Sequence, residues 1–395
     1  MSRLPSILPK GAHILDLREN PNLGGINSAM LSIAPAFHQV SATSGFAYTN
    51  AVLAAHPTGW LFERAHIIDI PLHMVSCKGP LDFAAPFRLA GLIREHAVNI
   101  VHTHGYRGNI MMGLLRLFRL SPAAHVITRH GLPVPKSPRL RFYAWLEKPF
   151  FHRAQRVVAV DPATEAVLRD HWQIPASRLR CIPNAVQPYT EPSQPELERL
   201  RRDLQLQPSD FVVLFLGRLD PEKDPLILLE AGRLLYARSL PISLLFVGSG
   251  VLQAELDARA MEIQNEFPIA RGRILLAGQC LQSAPFLAIS SCLALPSHSE
   301  GLSMSLLEAM AAGKPVIASR AGGTSHLLSH KGTGLIVSPA NAEELAAAVE
   351  TLYQDAALAQ RLAASAKLVI ATTFSPEAHI RAMVSLYAEA LESIS

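Results

Sequence analysis

The sequence has no long apolar segment and few cysteines. No uncharged apolar run in its 395 residues approaches the roughly 18 residues that span a bilayer, and the N-terminal residues lack the apolar core of a signal peptide. The four cysteines, Cys77, Cys181, Cys280 and Cys292, are widely scattered and form no metal-type pair. This usage is typical of small buried residues in a reducing compartment. These absences predict a cytoplasmic protein.

Charge is sparse and unevenly distributed. Charged residues make up 17% of the chain and hydrophobic residues 49%, which indicates a globular rather than a disordered protein, long enough for two domains. Residues 1–190 contain 20 Lys and Arg against 10 Asp and Glu, a net of +10, whereas the remainder has 36 − 20 = 16 against 32 − 10 = 22, a net of −6. A basic first half indicates an anionic partner such as a membrane surface, and solubility alone is an equally good explanation.

Short apolar strands alternate with helical patterns along the chain. In the first half, strand patterns occur at residues 13–17, 46–49, 67–70, 100–103, 126–128 and 156–160. In the second half they occur at residues 211–216, 242–247, 274–277, 291–295 and 316–319. The alternation predicts two doubly wound α/β domains with mostly parallel sheets, in which ligands bind at the carboxyl ends of the strands.

A segment rich in Pro, Glu and Gln marks the boundary between the two halves. We therefore predict a first domain over residues 1–186, a linker over 187–208 and a second domain over 209–372. Residues 373–395 form a last helical pattern, which we expect to pack back toward the first domain.

Two glutamates stand in the most informative stretch, residues 297–323. Glu300 lies in a polar loop, and Glu308 lies in an apolar helical run that ends at Gly313-Lys314-Pro315. A carboxylate in a buried-looking helix needs a partner, because an unpaired buried charge costs several kcal/mol. Either a polyhydroxylated ligand or a structural salt bridge meets this need, and for an isolated glutamate the salt bridge is the stronger interpretation.

Cations, glycines and histidines follow other strand patterns. Arg218 and Lys223, in the turn after the strand at residues 211–216, suit the diphosphate of a leaving nucleotide; the alternative is pairing with Asp220 and Glu222. Gly24-Gly25 between a strand and a helix allows a phosphate to approach backbone N–H groups, although an ordinary turn explains the pair as well. Three histidines also lie at strand ends, which favours a site there: His102, His104 and His130.

Two helical segments of the first half combine basic and aromatic residues. Residues 111–120 and 138–156 have the composition of helices that rest on a membrane surface. Packing against the core is the alternative, which we favour for the first segment, whereas the membrane interpretation is favoured for the second.

These motifs together resemble glycosyltransferase family 4, over nearly the whole chain. The resemblance rests on Gly24-Gly25, HTHGYRG (102–108), IPN (182–184), GRLDPEKD (217–224) and, above all, two glutamates separated by seven residues and followed by AMAAGKPVIAS and a GG loop. It implies a retaining enzyme with the GT-B fold, in which two Rossmann-like domains face each other across a cleft.

The resemblance also implies roles for individual residues. Arg218 and Lys223 would hold the diphosphate, with Gly24 and Gly25 approaching it from the first domain, and His130 would lie near the reacting sugar. Glu300 would bind the donor sugar and Glu308 the ribose. The remaining predicted donor-binding residues are Gly217, Gly301, Leu302 and Ser303.

The resemblance implies transfer of a hexosyl group from a nucleotide diphosphate sugar, here a uridine one, to a glycan or lipid-linked hydroxyl. The product would belong to a cell-surface polysaccharide or lipopolysaccharide. Because no Asp-x-Asp motif occurs, we expect no metal or other cofactor, and we expect no nucleic acid partner. The protein would be cytoplasmic, with a peripheral position at the inner membrane surface through its basic domain. The alternatives are a nucleotide-sugar epimerase of the same architecture and a non-catalytic carbohydrate-binding protein.

Overall fold

The computed structural model describes residues 8–22, 25–79, 82–131 and 138–394. The chain divides into two compact units, and the first unit is discontinuous in sequence. It comprises Met1–Ala185 together with Pro376–Ser395, and the second unit comprises Val186–Ser375.

The first unit is built on a seven-stranded parallel sheet with the order β3-β2-β1-β4-β5-β6-β7. Its strands are β1 (His13–Arg18), β2 (Ala47–Ala54), β3 (Leu72–Ser76), β4 (Ile100–Thr103), β5 (Ala124–Arg129), β6 (Arg156–Ala159) and β7 (Leu179–Cys181). The helices between them are α1 (Gly25–Ser44), α2 (Trp60–Ile67), α3 (Ala85–Glu95), α4 (Tyr106–Leu117), α5 (Pro138–Phe151) and α6 (Pro162–Asp170).

The second unit is built on a six-stranded parallel sheet with the order β10-β9-β8-β11-β12-β13. Its strands are β8 (Phe211–Leu216), β9 (Ile242–Val247), β10 (Ile274–Gly278), β11 (Cys292–Leu295), β12 (Val316–Ser319) and β13 (Leu335–Val337). Its α-helices are α7 (Gln194–Asp203), α8 (Pro225–Ala237), α9 (Gln253–Glu266), α10 (Ala284–Ile289), α11 (Met304–Ala311), α12 (Thr324–Leu327), α13 (Ala342–Gln354) and α14 (Ala356–Thr373).

The strands are continuous apolar runs because helices cover both faces of each sheet. Five of the six residues of β8 and all six residues of β9 are buried, as expected for parallel strands that pack on two sides. The predicted fold class, two doubly wound parallel α/β units, is confirmed.

The strand predicted at residues 67–70 is wrong. Ile67 is the last residue of α2, and the backbone then turns through Asp69, whose φ is 53°. A residue in the left-handed region cannot continue a strand, so the strand begins later, at Leu72. The apolar residues of this segment belong to the end of a helix and its turn.

The last helix, α15 (Pro376–Glu392), completes the core of the first unit. Its buried residues pack in one cluster with residues of α1, β2 and β4. Tyr387 is fully buried, lies near Phe37, and its hydroxyl is 2.8 Å from His102 Nδ1 on β4. Among the helices of the described ranges, none is long and apolar enough to cross a membrane.

Candidate functional site

A charged turn follows β8 in the second unit, and neighbouring glycines let another loop pack tightly against it. The N–H of Leu219 donates to the carbonyl oxygen of Ser249 at 2.9 Å. A Cβ at Gly248 would collide with the carbonyl oxygen of Gly217, and one at Gly250 with that of Leu219. Close packing of the two loops therefore holds the backbone of Gly217 and Leu219, on either side of Arg218, in place.

Lys223 contacts Glu300. Its Nζ lies 2.5 Å from both carboxylate oxygens of Glu300, and the Ser297 hydroxyl donates to Oε1 at 2.7 Å. Glu300 is only 9% exposed, so the ammonium group and the hydroxyl compensate the desolvation of its carboxylate. The structure brings together two predicted site residues that are 77 positions apart in sequence.

Arg218 has different partners. Its guanidinium forms ion pairs with Asp220 and, at 3.3 Å, with Glu222, the two carboxylates that the sequence offers as its alternative partners. Asp220 also accepts hydrogen bonds from the backbone N–H groups of Glu222 and Lys223 at 3.1 and 3.0 Å, which closes the turn. The Arg218 side chain is 46% exposed, so part of its guanidinium is accessible to a ligand.

The loop that contains Glu300 is tied to two other strand ends. His298 donates its N–H to the carbonyl oxygen of Glu222 at 2.8 Å, and its Nε2 lies 2.6 Å from Asp224 Oδ2. The N–H of Gly323 donates to the carbonyl oxygen of Glu300 at 3.0 Å, and a Cβ at Gly322 would collide with the same oxygen. The loops after β8, β11 and β12 therefore form one hydrogen-bonded surface at the carboxyl edge of the sheet.

The remaining predicted donor residues of this unit follow Glu300 in the same loop and in α11. Gly301 and Leu302 are partly buried, and Ser303 is the N-cap residue of α11, with its hydroxyl 3.1 Å from that of Ser305. Glu308 lies in the same helix and is partly buried. Its predicted role in ribose binding stays a prediction.

The glycine pair of the first unit is described in part. Gly25 is the first residue of α1, and a Cβ there would meet no atom within 4 Å. Gly24 lies outside the described residues. The predicted approach of a phosphate to this turn stays a prediction.

His130 immediately follows β5, and its imidazole contacts that of His104. His130 Nε2 lies 2.9 Å from His104 Nδ1. Burial lowers the pKa of His130 to about 3, and burial together with the Arg18 guanidinium lowers the pKa of His104 well below its usual range. Both rings are therefore neutral at neutral pH, a state in which each has one donor and one acceptor nitrogen.

Three buried polar residues that lie next to predicted site residues were missed in the sequence: Asp16 and Arg18 beside His104, and Ser297 beside Glu300. Asp16 and Arg18 occur two positions apart in β1 and so lie on one face of the sheet, while Ser297 supports Glu300. The available signal for the first two was a pair of charged residues in a strand that is otherwise almost entirely buried.

Two family models match most of the chain. The model described as "Glycosyltransferase Family 4" matches residues 25–189, and that described as "Glycosyl transferases group 1" matches residues 197–369. The chain is 31% identical over 300 residues to the D-inositol 3-phosphate glycosyltransferase of Rhodococcus opacus, covering 70% of this chain and 66% of that protein. It is 31% identical over 250 residues to the D-rhamnosyltransferase WbpZ of Pseudomonas aeruginosa, covering 61% of each. The matches thus span less than two thirds of the length of these relatives.

Solved structures share the fold. Anabaena Alr3699/HepE in complex with UDP-glucose has a TM-score of 0.76 at 19% identity, covering 96% of this chain and 99% of that one. WaaG, a glycosyltransferase involved in lipopolysaccharide biosynthesis, has a TM-score of 0.69 at 16% identity, covering 94% and 99%. The chain belongs to glycosyltransferase family 4 and has the GT-B fold.

Proposed function

We propose that the protein transfers a hexosyl group from a uridine diphosphate sugar to a hydroxyl group of a glycan or lipid-linked acceptor, with retention of the anomeric configuration. The observation that carries the proposal is the contact between Lys223 and the buried Glu300, next to the turn that holds the half-exposed Arg218. A carboxylate and cations at the carboxyl edge of a parallel sheet suit a ligand that contains both sugar hydroxyls and a diphosphate.

Each predicted site residue has a role in this reaction. The cations of Arg218 and Lys223 stabilise the charge that develops on the leaving diphosphate. Glu300 accepts hydrogen bonds from the donor sugar, and Glu308 accepts them from the ribose. His130, neutral at neutral pH, donates a hydrogen bond to the reacting sugar.

The remaining donor contacts come from backbone and small side chains. Gly217, Gly301, Leu302 and Ser303 line the donor, and phosphate binding by the Gly24–Gly25 turn stays a prediction. We propose that the reaction needs no metal, because fixed cations supply the electrostatic stabilisation. The leaving phosphate helps to deprotonate the acceptor on the same face of the sugar, which gives retention.

The proposal is tested with a panel of nucleotide sugars, assayed for release of the nucleotide diphosphate with and without membrane lipid extracts. We expect a uridine diphosphate sugar to be consumed only when an acceptor is present, with the same rate in excess EDTA. Conversion of the donor into another nucleotide sugar, without any acceptor and without net release of the nucleotide diphosphate, would identify an epimerase instead. Donor binding without turnover would identify a carbohydrate-binding protein, and failure to bind every nucleotide sugar would refute the donor site altogether.

A variant in the same assay tests the role of Glu308. Glu308→Gln is expected to raise the donor KM about tenfold, because a hydrogen bond to a charged group contributes about 1.5–3 kcal/mol. Glu262→Gln, an exposed glutamate of α9 in the same unit, is the matched control and should keep the wild-type KM. Equal donor KM values for both variants would remove Glu308 from the nucleotide site.

We propose further that the first unit holds the acceptor at an anionic membrane surface, for the synthesis of a cell-surface polysaccharide or lipopolysaccharide. The supporting feature is an aromatic-basic patch on α5, made of Phe142 and Trp145, whose rings lie 6.0 Å apart and whose side chains are 55 and 70% exposed. Exposed basic residues of the same helix accompany them: Arg141 and Lys148. The combination is typical of helices that insert aromatic rings at a lipid headgroup region.

Vesicle binding tests the patch. The wild-type protein should bind vesicles that contain phosphatidylglycerol more tightly than pure phosphatidylcholine vesicles, with weaker binding at high salt. Trp145→Ala is expected to reduce binding about tenfold, since burial of one large apolar side chain contributes roughly 1.5–3 kcal/mol. Met261→Ala, which changes a residue 65% exposed on the second unit, should bind as the wild type does. Binding that ignores both lipid charge and salt would contradict the electrostatic form of this proposal.

A further inference from the structure

A small cavity lies wholly within the first unit, at the carboxyl ends of β1, β4 and β5. It encloses about 20 Å³ and is bounded also by α1 and α15. This volume accommodates a group about the size of one water molecule or one hydroxyl. Its polar lining includes Asp16, Arg18, His104, His130 and His379.

Several buried polar atoms of this lining have no hydrogen-bond partner among the described residues. Arg18 is 1% exposed, and its Nε and Nη1 are unpartnered, as are Asp16 Oδ1 and His104 Nε2. Arg18 Nη2 lies 2.9 Å from Asp16 Oδ1, and His104 Nε2 lies 3.3 Å from the same oxygen, so these contacts are electrostatic without hydrogen-bond geometry. Since each unsatisfied buried group costs about 1–3 kcal/mol, the lining favours a polar occupant.

The fixed charges decide which polar occupant fits. Asp16 and Arg18 cancel each other, and burial lowers the pKa values of His104, His130 and His379, which keeps their imidazoles neutral. An added anion would face the Asp16 carboxylate, and an added metal ion would face the Arg18 guanidinium. Either ion would remain uncompensated in a buried site, at a cost of several kcal/mol.

A metal ion has a second obstacle. Asp16, His102 and His104 do offer ligand atoms within 4.8 Å of one another. Both ring nitrogens of His102 are occupied, however: Nδ1 lies 2.8 Å from the Tyr387 hydroxyl and Nε2 lies 2.7 Å from that of Thr128. A neutral hydroxyl group needs no such rearrangement, because it accepts hydrogen bonds from Arg18 and donates one to Asp16.

We propose that this cavity is a subsite for a hydroxyl group of a sugar-like polyol. This inference rests on the proposed transfer reaction, in which the polyol is the acceptor sugar. His104 borders the subsite and contacts His130 at 2.9 Å, so an acceptor hydroxyl bound here lies next to the histidine assigned to the reacting sugar. Asp16 and Arg18 would then select acceptors that have a hydroxyl at this position.

Histidine side-chain NMR of the full-length wild-type protein tests the subsite without any donor. The protein is titrated separately with a panel of methyl glycosides, with inorganic phosphate and with Zn²⁺, and the His104 and His130 signals are assigned with single His→Gln variants. We expect saturable shifts of both rings with at least one methyl glycoside and none with the two ions. A response to phosphate or zinc alone would overturn the proposal in favour of an ion site. If no glycoside causes a response, the cavity holds an ordered water molecule only, and this result would also overturn the proposal.

Kinetics with the methyl glycoside that binds give an independent check. Asp16→Asn is expected to raise the KM for that glycoside about tenfold, whereas His66→Gln, at an exposed position of α2, keeps the wild-type KM. An unchanged KM in Asp16→Asn would contradict the subsite. If Asp16→Asn does not fold, the titration of the unmutated protein decides. Failure of every donor to react with the wild type would instead refute the transferase proposal, which the titration does not require.

Discussion

Replacing Lys223 by glutamine is expected to reduce the turnover of sugar transfer at least about 100-fold. The ammonium group is the predicted partner of the leaving diphosphate, and loss of one such preorganised donor typically lowers kcat by about 10²–10³. In the structure it also neutralises Glu300, which is 9% exposed. Without Lys223, the Ser297 hydroxyl would be the one remaining side-chain partner of Glu300 among the described residues. Steady-state kinetics with the donor found in the nucleotide-sugar panel measure the effect.

The control for this variant is Arg271→Gln, which removes an exposed cation of the same unit and should leave kcat at the wild-type value. Circular dichroism and thermal unfolding of both variants separate a loss of chemistry from a loss of folding. A folded Lys223→Gln protein with wild-type kcat would show that the Lys223–Glu300 pair is a structural salt bridge, the interpretation that suits an isolated glutamate.

Replacing Arg129 by methionine is expected to lower the free energy of unfolding of the first unit by about 3–5 kcal/mol at pH 8. Arg129 Nη1 lies 2.7 Å from Oε1 of Glu147, whose side chain is fully buried. Without the guanidinium, the second oxygen keeps its hydrogen bond from Asn109 at 2.7 Å, but the carboxylate charge has lost its cation. Breaking one side of a buried ion pair is among the most costly single changes in a protein.

The decrease in the free energy of unfolding caused by Arg129→Met should be smaller at pH 5. Burial raises the pKa of Glu147 to about 7, against an ordinary value of 4.5, and Arg129 opposes the rise. Between pH 4.5 and about 7 the native state binds more protons at Glu147 than the unfolded state does. Ionisation of Glu147 therefore destabilises the fold as the pH rises through this range. Removal of Arg129 raises this pKa further. At pH 5 the glutamate is protonated and needs no cation.

Urea unfolding monitored by tryptophan fluorescence measures these differences in the first unit alone. The chain has three tryptophans, and all of them, Trp60, Trp145 and Trp172, belong to this unit. The double variant Arg129→Met/Glu147→Leu contains neither charge and should recover most of the lost stability. A double variant as unstable as the single one, or equal losses at pH 5 and pH 8, would contradict the proposed cause.

Much of the fold could be predicted because parallel sheets leave a local signal. The runs that form β8 and β9 are apolar throughout, and each ends at a glycine or a charged turn. The strand proposed at residues 67–70 failed because its apolar residues end a helix, and a left-handed backbone at Asp69 leaves no clear trace in composition. Hydrophobic patterns in a sequence identify helices and strands more reliably than they locate the ends of these elements.

The sequence indicated candidate site residues but not the contacts between them. Glu300, Lys223 and Arg218 were each identified from motifs, yet motifs do not specify that Lys223 contacts Glu300 while Arg218 contacts Asp220 and Glu222. The cavity at Asp16 and Arg18 was missed altogether. Its lining comes from strands β1, β4 and β5 and from a helix near the end of the chain, and only the folded backbone brings such distant positions together.

The discontinuity of the first unit has a consequence for synthesis on the ribosome. The core around Phe37 and Tyr48 needs the side chains of α15, including the fully buried Tyr387. Between Ala185 and Pro376 the ribosome must translate all of Val186–Ser375, which takes roughly 10–40 s at about 5–20 residues per second. During that interval the apolar surface that α15 covers in the folded protein is exposed on the nascent first unit. The second unit is therefore fully synthesised before α15 can complete the core of the first unit.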